Sequence, residues 1–367
     1  MTSGPGTKTR GRLSALVTAA FVALAYLAVA EVVLRFLPVA TGLHSVAVND
    51  AQPIFHFAPN HDFVYSRGWN LSEVVRGRVN NAGWVNEQDY AHDDKLPLIA
   101  VIGDSYIEAQ MVPYAETLQG RLAAVLQGRA RVYSFAASGA PLSEFAVYAR
   151  YAVREFGAAA IVINMANYDF AGSDAVYNRP AGMWVYDVAG DDKQLRLTPY
   201  RPGLLRGIVQ HSALARYVLL DLHLDRPLTA AHLIASLAPS GTAIAAEPDN
   251  NTRLAASNAI IPLFFGDLKR LVDLPPGRVL FVMDGAHYPQ SPMDESTSGL
   301  RQKFRAAAEA SGHETIDLEP LFFVRYRQQG AIFEVPGDSH WNGEGHAIAA
   351  EGVMSSRLIA DLLAQPR

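Results

Sequence analysis

Cysteine is absent from all 367 residues. That excludes disulfides, zinc–thiolate sites, a thiol nucleophile and a lipoprotein anchor, although it does not identify the compartment. Net charge is −5, with no Lys/Arg run beyond the N-terminus, which argues against a nucleic-acid partner. The histidines are scattered, without an H-x-x-x-H pair or a carboxylate cluster, so no metal site is expected. No G-x-x-x-x-G-K phosphate loop occurs, and no G-x-G-x-x-G follows a strand-like run, so no cofactor is expected either. No internal repeat or strongly biased tract is visible. What the chain has is apolar residues, half of its length, enough for one large α/β domain with an extension.

The N-terminus carries the compartment signal. "MTSGPGTKTRGR" holds Lys8, Arg10 and Arg12 and no acid, and Leu13–Ala30 is uncharged. Eighteen such residues nearly cross a bilayer, with Glu31 and Arg35 placed to reach the interface. Residues 1–12 read as a cytoplasmic basic tail and 13–37 as a transmembrane anchor. The rival is a cleaved signal peptide ending at Ala28-Val29-Ala30. The apolar run is long for a signal segment and continues past that site, which favours the anchor. Either way the positive-inside rule puts the remaining chain outside the cytoplasm.

Residues 38–95 read as a stalk with a small β segment, including "DFVYS" and "EVVRGRVN". From residue 96 to 367 strand-like and helix-like runs alternate. The expected strands lie in "LPLIAVIGDS", "ARVYSFAASG", "AAAIVINMANYD", "GRVLFVMDGAHY" and "HETIDLEPLF". Helices are expected in "ETLQGRLAAVLQ", "PLSEFAVYARYAVREF" and "ESTSGLRQKFRAAAEASG", with a closing helix in "NGEGHAIAAEGVMSSRLIADLLAQ". Alternation implies an α/β fold with a parallel sheet of about five strands, which binds ligands at the strands' carboxyl ends. An insertion over about 171–274 follows the third strand. It reads as a hairpin around Gly190-Asp191-Asp192, a helix in "LLRGIVQHSALARYVLLDLHL" and a loop in "APSGTAIAAEPDNN". It is either a lid or substrate wall, or a structural embellishment.

"LIAVIGDSYIEA" poses the functional question. Ser105 stands at a strand end, where it is either a nucleophile or a helix cap. Far along the chain "VPGDSHWNGEGHAIAAEG" puts Asp338 two residues before His340, in a loop ahead of the closing helix. A serine needs a base to take its proton, and the base needs an orienter. Gly139 follows the second strand and Asn167 the third. With the Ser105 N–H, a backbone donor at Gly139 and the Asn167 amide could form an oxyanion hole. Four strand-end features in this order are hard to assign to chance.

On these residues the chain resembles the SGNH/GDSL-type hydrolases, whose four named residues fall on Ser105, Gly139, Asn167 and His340. The resemblance covers most of the chain from about Leu96. It implies a flavodoxin-like three-layer sandwich and acyl-ester chemistry, with Ser105 as nucleophile, His340 as base and Asp338 as its partner. It also implies an oxyanion hole from Ser105, Gly139 and Asn167. The third block departs from the usual Gly-x-Asn-Asp, reading Met165-Ala166-Asn167-Tyr168. The aspartate stands two residues before the histidine rather than three, the usual place being Gly337. The lead-in "GRVNNAGW" resembles that of membrane-anchored members associated with bacterial surface polysaccharides, and the Asp-x-His-Trp form resembles the alginate O-acetyltransferase-like branch, although that branch places this motif before its serine.

The resulting expectation is an inner-membrane, single-pass protein with its serine esterase domain in the periplasm. It would remove acyl groups, acetyl being the one expected, from a surface glycan, near a polysaccharide assembly machine. The alternatives are O-acetyl transfer by the same residues, a non-catalytic glycan-binding or assembly subunit, and a lipase or thioesterase, which would need an apolar groove. Trp341 and Asn342 are read as shaping the His340 loop, Trp341 also as a platform for a sugar, and His287 as a cleft-lining residue. His346 is read as structural.

Overall fold

The structure, a computed structural model, describes residues 5–92, 95–166, 170–176, 180–188, 193–222 and 250–364. Its first element is α1 (Pro5–Leu34). Within it Ser14–Leu34 has a mean hydropathy of 2.2, and no part of its apolar window is buried. At about 1.5 Å per residue that stretch is long enough to cross a hydrocarbon core. β1 (His61–Arg67) and β2 (Glu73–Val79) then form a two-stranded sheet.

β3 (Leu98–Gly103) opens the main sheet, followed by the single turn α2 (Ser105–Glu108), α3 (Leu118–Val125) and β4 (Arg131–Ala136). α4 (Leu142–Phe156) ends at Gly157 and leads to β5 (Ala158–Met165). Two short antiparallel strands follow, β6 (Trp184–Tyr186) and β7 (Leu195–Leu197), then α5 (Leu204–His211) and α6 (Ala213–Arg216). α7 (Asn250–Leu271) precedes β8 (Val279–Met283), and α8 (Glu295–Ala310) precedes β9 (Glu314–Asp317). α9 (Glu319–Gln329), α10 (Gly343–Met354) and α11 (Arg357–Leu363) complete the chain's described elements.

The five-stranded sheet runs β4-β3-β5-β8-β9 with every pairing parallel. Numbered within the sheet this is the order 2-1-3-4-5 of flavodoxin-like folds, which reverses direction between β3 and β5. The central strands are buried on both faces, as their unbroken apolar runs require. On one face Val101, Val162 and Leu280 pack with Leu118 and Leu122 of α3, Ile348 and Val353 of α10, and Leu358 of α11. On the other, Phe281 meets Phe264 and Phe265 of α7 and Phe304 of α8. Three layers result.

Several elements differ from the sequence reading for identifiable reasons. The last part of the expected insertion is α7, the crossover helix into β8. Its buried residues Ser257, Ile260, Ile261, Phe264, Phe265 and Leu268 recur at helical spacing, although Pro262 interrupts the run. "EPLF" begins α9 rather than extending β9, with Pro320 in the helix's first turn, where its missing N–H costs nothing. The closing helix breaks at Ser355-Ser356, where the Ser356 hydroxyl accepts from Ile359 N–H and starts α11. The helix read in "LLRGIVQHSALARYVLLDLHL" breaks at Ser212, which caps α6 by accepting from Ala215 N–H. The turn 189–192 and most of "APSGTAIAAEPDNN" lie outside the described residues.

The described residues cluster as two compact units. The smaller takes in α1, Val64–Val74 and the stretch from Gly203. Within it the Glu31 carboxylate accepts from Ser212 Oγ (2.8 Å) and from the N–H groups of Ala213 (3.1 Å) and Leu214 (2.9 Å), a charged cap on α6. The larger unit contains the five-stranded sheet.

Candidate active site

The crevice of such a sheet lies at the carboxyl ends of the strands flanking the reversal, and β3 delivers Ser105 there. Gly103 ends the strand. A Cβ at this position would stand 2.5 Å from Ile107 Cγ1, so the turn into α2 can close this tightly only on glycine. Asp104 caps α2 by accepting from Tyr106 N–H at 3.0 Å. Ser105 is therefore the first residue of the turn and Asp104 is its cap, which answers the ambiguity of the local sequence.

Ser105 Oγ lies 2.7 Å from His340 Nε2, and His340 Nδ1 lies 2.5 Å from Asp338 Oδ1. The same Asp338 oxygen accepts the His340 backbone N–H at 3.1 Å. An aspartate two residues before the histidine thus reaches both its ring and its main chain, so the altered spacing does not prevent pairing. The arrangement favours the tautomer with hydrogen on Nδ1, leaving Nε2 to accept from the serine. Burial of the ring lowers the His340 pKa, but the bond to Asp338 and its charge outweigh this, helped by Asp104 and Asp284, so the pKa lies above the usual value.

The loop bearing this pair is internally tied. Val335 N–H donates to His340 O and Asn342 N–H to Phe333 O. The Asn342 amide donates to Ile332 and Glu334 carbonyls, and its oxygen caps α10 through Glu344 and Gly345 N–H. Tyr106, unnoticed in the sequence, donates its hydroxyl to Ser339 O at 3.1 Å and packs its ring on His340 and Trp341.

Two sequence readings are corrected here. Trp341 is not a sugar platform: its side chain is 0% exposed and its indole N–H donates to Asp284 Oδ1 at 3.0 Å. The Glu334–Trp341 bridge accompanies this inward side chain, one residue after His340. His287 does not line the cleft either: it is buried. Its Nε2 lies 3.1 Å from Asp284 and its Nδ1 2.6 Å from Glu334. Two carboxylate partners require two N–H donors, hence an imidazolium. Burial opposes that charge, but Asp284 and Glu334 prevail and hold the pKa at about 9. Asp284 and Glu334 were not legible as a unit, since 50 residues of unremarkable spacing separate them. His346 is structural, buried, and accepts from Leu118 N–H at 3.1 Å. Burial pushes its pKa down to about 3.

Gly139 occupies a turn closed by Ala140 N–H on Ala137 O (3.0 Å). It has φ +77°, the value that a type II turn demands of its third residue. A Cβ there would meet nothing within 4 Å, so the position opens into free space. Asn167 lies outside the described residues. Among the described residues no group of three or more His, Asp or Glu side chains is placed to hold a metal.

No protein-family model matches the chain, and no curated protein matches it. Solved structures align with it at low identity. One is a member of the lipolytic G-D-S-L family from Veillonella parvula, 12% identical, covering 71% of this chain and 97% of that one with a TM-score of 0.34. Another is an acetylxylan esterase from Geobacillus stearothermophilus, 10% identical, covering 74% and 95%, TM-score 0.38. A third is an α/β hydrolase from a Lake Arreo metagenome, 14% identical, covering 73% and 97%, TM-score 0.37. Each TM-score is below 0.5, so the reading of the site rests on its own geometry.

Proposed function

We propose that the protein is a serine-dependent acyl-ester hydrolase with Ser105 as nucleophile, His340 as base and Asp338 as orienter. The observation that carries this is the continuous Ser105–His340–Asp338 relay, 2.7 and 2.5 Å long, at the reversal point of a parallel sheet. His340 Nε2 takes the Ser105 proton as Oγ attacks the ester carbonyl. The negative oxygen is held by the N–H groups of Ser105 and Gly139 and by the Asn167 amide. The imidazolium returns its proton to the leaving alkoxide, and an acyl-serine remains. Water then gives up a proton to His340, attacks the acyl carbon and releases the carboxylic acid, restoring Ser105.

The substrate we favour is an O-acetyl group on a bacterial surface glycan, met in the periplasm by an enzyme held at the inner membrane through α1. The length and apolarity of Ser14–Leu34 support the tether. The assembly machinery follows from that tether as the expected neighbour. If a sugar hydroxyl replaces water in the second half, the same residues perform O-acetyl transfer. The Asp-x-His-Trp form keeps that second reading open.

The test is p-nitrophenyl acetate hydrolysis and fluorophosphonate labelling of the full chain in detergent, beside Ser105→Ala. Turnover and labelling that both vanish in the variant are expected. Labelling without turnover would favour the transferase. A wild-type chain that neither turns over nor labels would overturn the enzyme and revive the non-catalytic glycan-binding reading.

A further inference from the structure

Glu108 stands one helical turn after Ser105, on α2, and is 2% exposed. Its carboxylate is held by Ser138. Oε2 accepts the Ser138 backbone N–H at 2.8 Å, and Oε1 accepts the Ser138 hydroxyl at 2.7 Å. Gln110 Nε2 donates to Oε1 as well. Burial pushes the Glu108 carboxyl up, against the pull of these donors. Ser138 is the second residue of the turn in which Gly139 is the third. The Ser138–Gly139 peptide is the one whose N–H would face the substrate oxyanion.

We propose that Glu108 is a positioning residue that sets this N–H, a role that rests on the hydrolase reading above. The bond that closes the turn, Ala140 N–H to Ala137 O, does not by itself determine which way the central peptide faces. Types I and II differ by a flip of that peptide, and a flip would swing the Gly139 N–H away. Holding both donors of Ser138 fixes the residue before the flip point. Because Glu108 and Ser105 share one helical turn, the clamp also ties the oxyanion donor to the nucleophile. The two then move as one body, as a preorganised oxyanion site needs.

The variants are Glu108→Met, which keeps the volume and removes both acceptors, and Glu108→Gln. The Gln carbonyl can still accept the Ser138 N–H while its amide donates to the Ser138 hydroxyl. Loss of one oxyanion donor typically costs about 10²–10³ in kcat. Glu108→Met should therefore lose about 10²-fold in kcat on p-nitrophenyl acetate with KM within about twofold. It should lose the same factor in affinity for a trifluoromethyl ketone, whose serine adduct carries an oxyanion. Glu108→Gln should recover most of both. A residue that served only the fold would change stability without this parallel loss. Should Glu108→Met not fold, Ser138→Ala carries the test, with about a tenfold kcat loss expected. Wild-type kcat and ketone affinity in folded Glu108→Met, or in Ser138→Ala if that variant must stand in, overturn the proposal. If wild type itself neither labels nor turns over, the hydrolase reading fails first. If wild type is active, Ser105→Ala is dead and Glu108→Met is normal, only the Glu108 role fails.

Discussion

Replacing Asp338 by Asn tests the relay at its most informative point, because charge changes while shape does not. Asp338 Oδ1 holds the His340 ring at 2.5 Å and its backbone N–H at 3.1 Å. In the variant either the amide oxygen keeps both bonds without the charge, or the amide turns and donates to Nδ1. The first outcome weakens a charge-assisted bond to about half its strength. The second forces hydrogen onto Nε2, so that Ser105 loses its acceptor, the situation that costs about 10⁴ in the serine-protease template. The expected loss in kcat is therefore about 10³–10⁴, or roughly 4–5.5 kcal/mol of barrier. A second signature is independent of the rate. His340 acts as base only when neutral, so activity rises with pH through its pKa. That pKa is raised because Asp338 outweighs burial. Removing the charge moves the rising limb of kcat/KM to lower pH. The assay is a pH profile of p-nitrophenyl acetate hydrolysis by the full chain, wild type against Asp338→Asn. Activity within tenfold of wild type, or a limb that does not move, would refute the assigned role of Asp338.

Gly139→Ala introduces no clash but strains a φ of +77° by about 1–2 kcal/mol. It should lower kcat at least tenfold while the melting temperature falls only a few degrees; a large stability loss with normal kcat would contradict it. His287 holds in the folded state, with a pKa of about 9, a proton that the unfolded chain releases near 6.5. Its contribution is complete below pH 6.5 and is lost as pH rises through about 9, so urea midpoints should fall over that interval and fall less in His287→Asn. His346, depressed to about 3, acts in the opposite sense: its contribution is complete above pH 6.5 and is lost as pH falls from there toward 3, a loss that His346→Gln should reduce. Trp341→Phe removes a buried donor from Asp284 and should destabilise the fold by about 2–4 kcal/mol, seen as a lower urea midpoint without change in KM.

Much of this protein is legible along the chain because the relevant physics is local. An uncharged stretch that is apolar all round, with no amphipathic stripe, makes α1 readable. Continuous apolar runs make β3, β5 and β8 readable, since a parallel strand covered on both faces has no polar side to show. Ser105 and Gly139 stand out because each follows a strand-like run, and His340 because Asp338 lies two residues before it in a loop ahead of the closing helix. Local signals fail where a neighbour distant in sequence decides. Pro262 hides α7, whose helix is secured by the aromatic cluster around Phe281. Trp341, beside a catalytic histidine candidate, reads as a platform until Asp284, 57 residues upstream, draws its N–H inward. His287 has an ordinary sequence context, and only its placement between Asp284 and Glu334 makes it a cation. Glu108 reads as one more helical acid until the β4–α4 turn comes within reach. The sequence by itself determined the residue types, the strand ends that present them and the membrane-length helix. Only the tertiary structure decided which of those side chains meet, because a hydrogen bond is lost within an ångström and a pairing across 235 residues exists only once the sheet has ordered its strands.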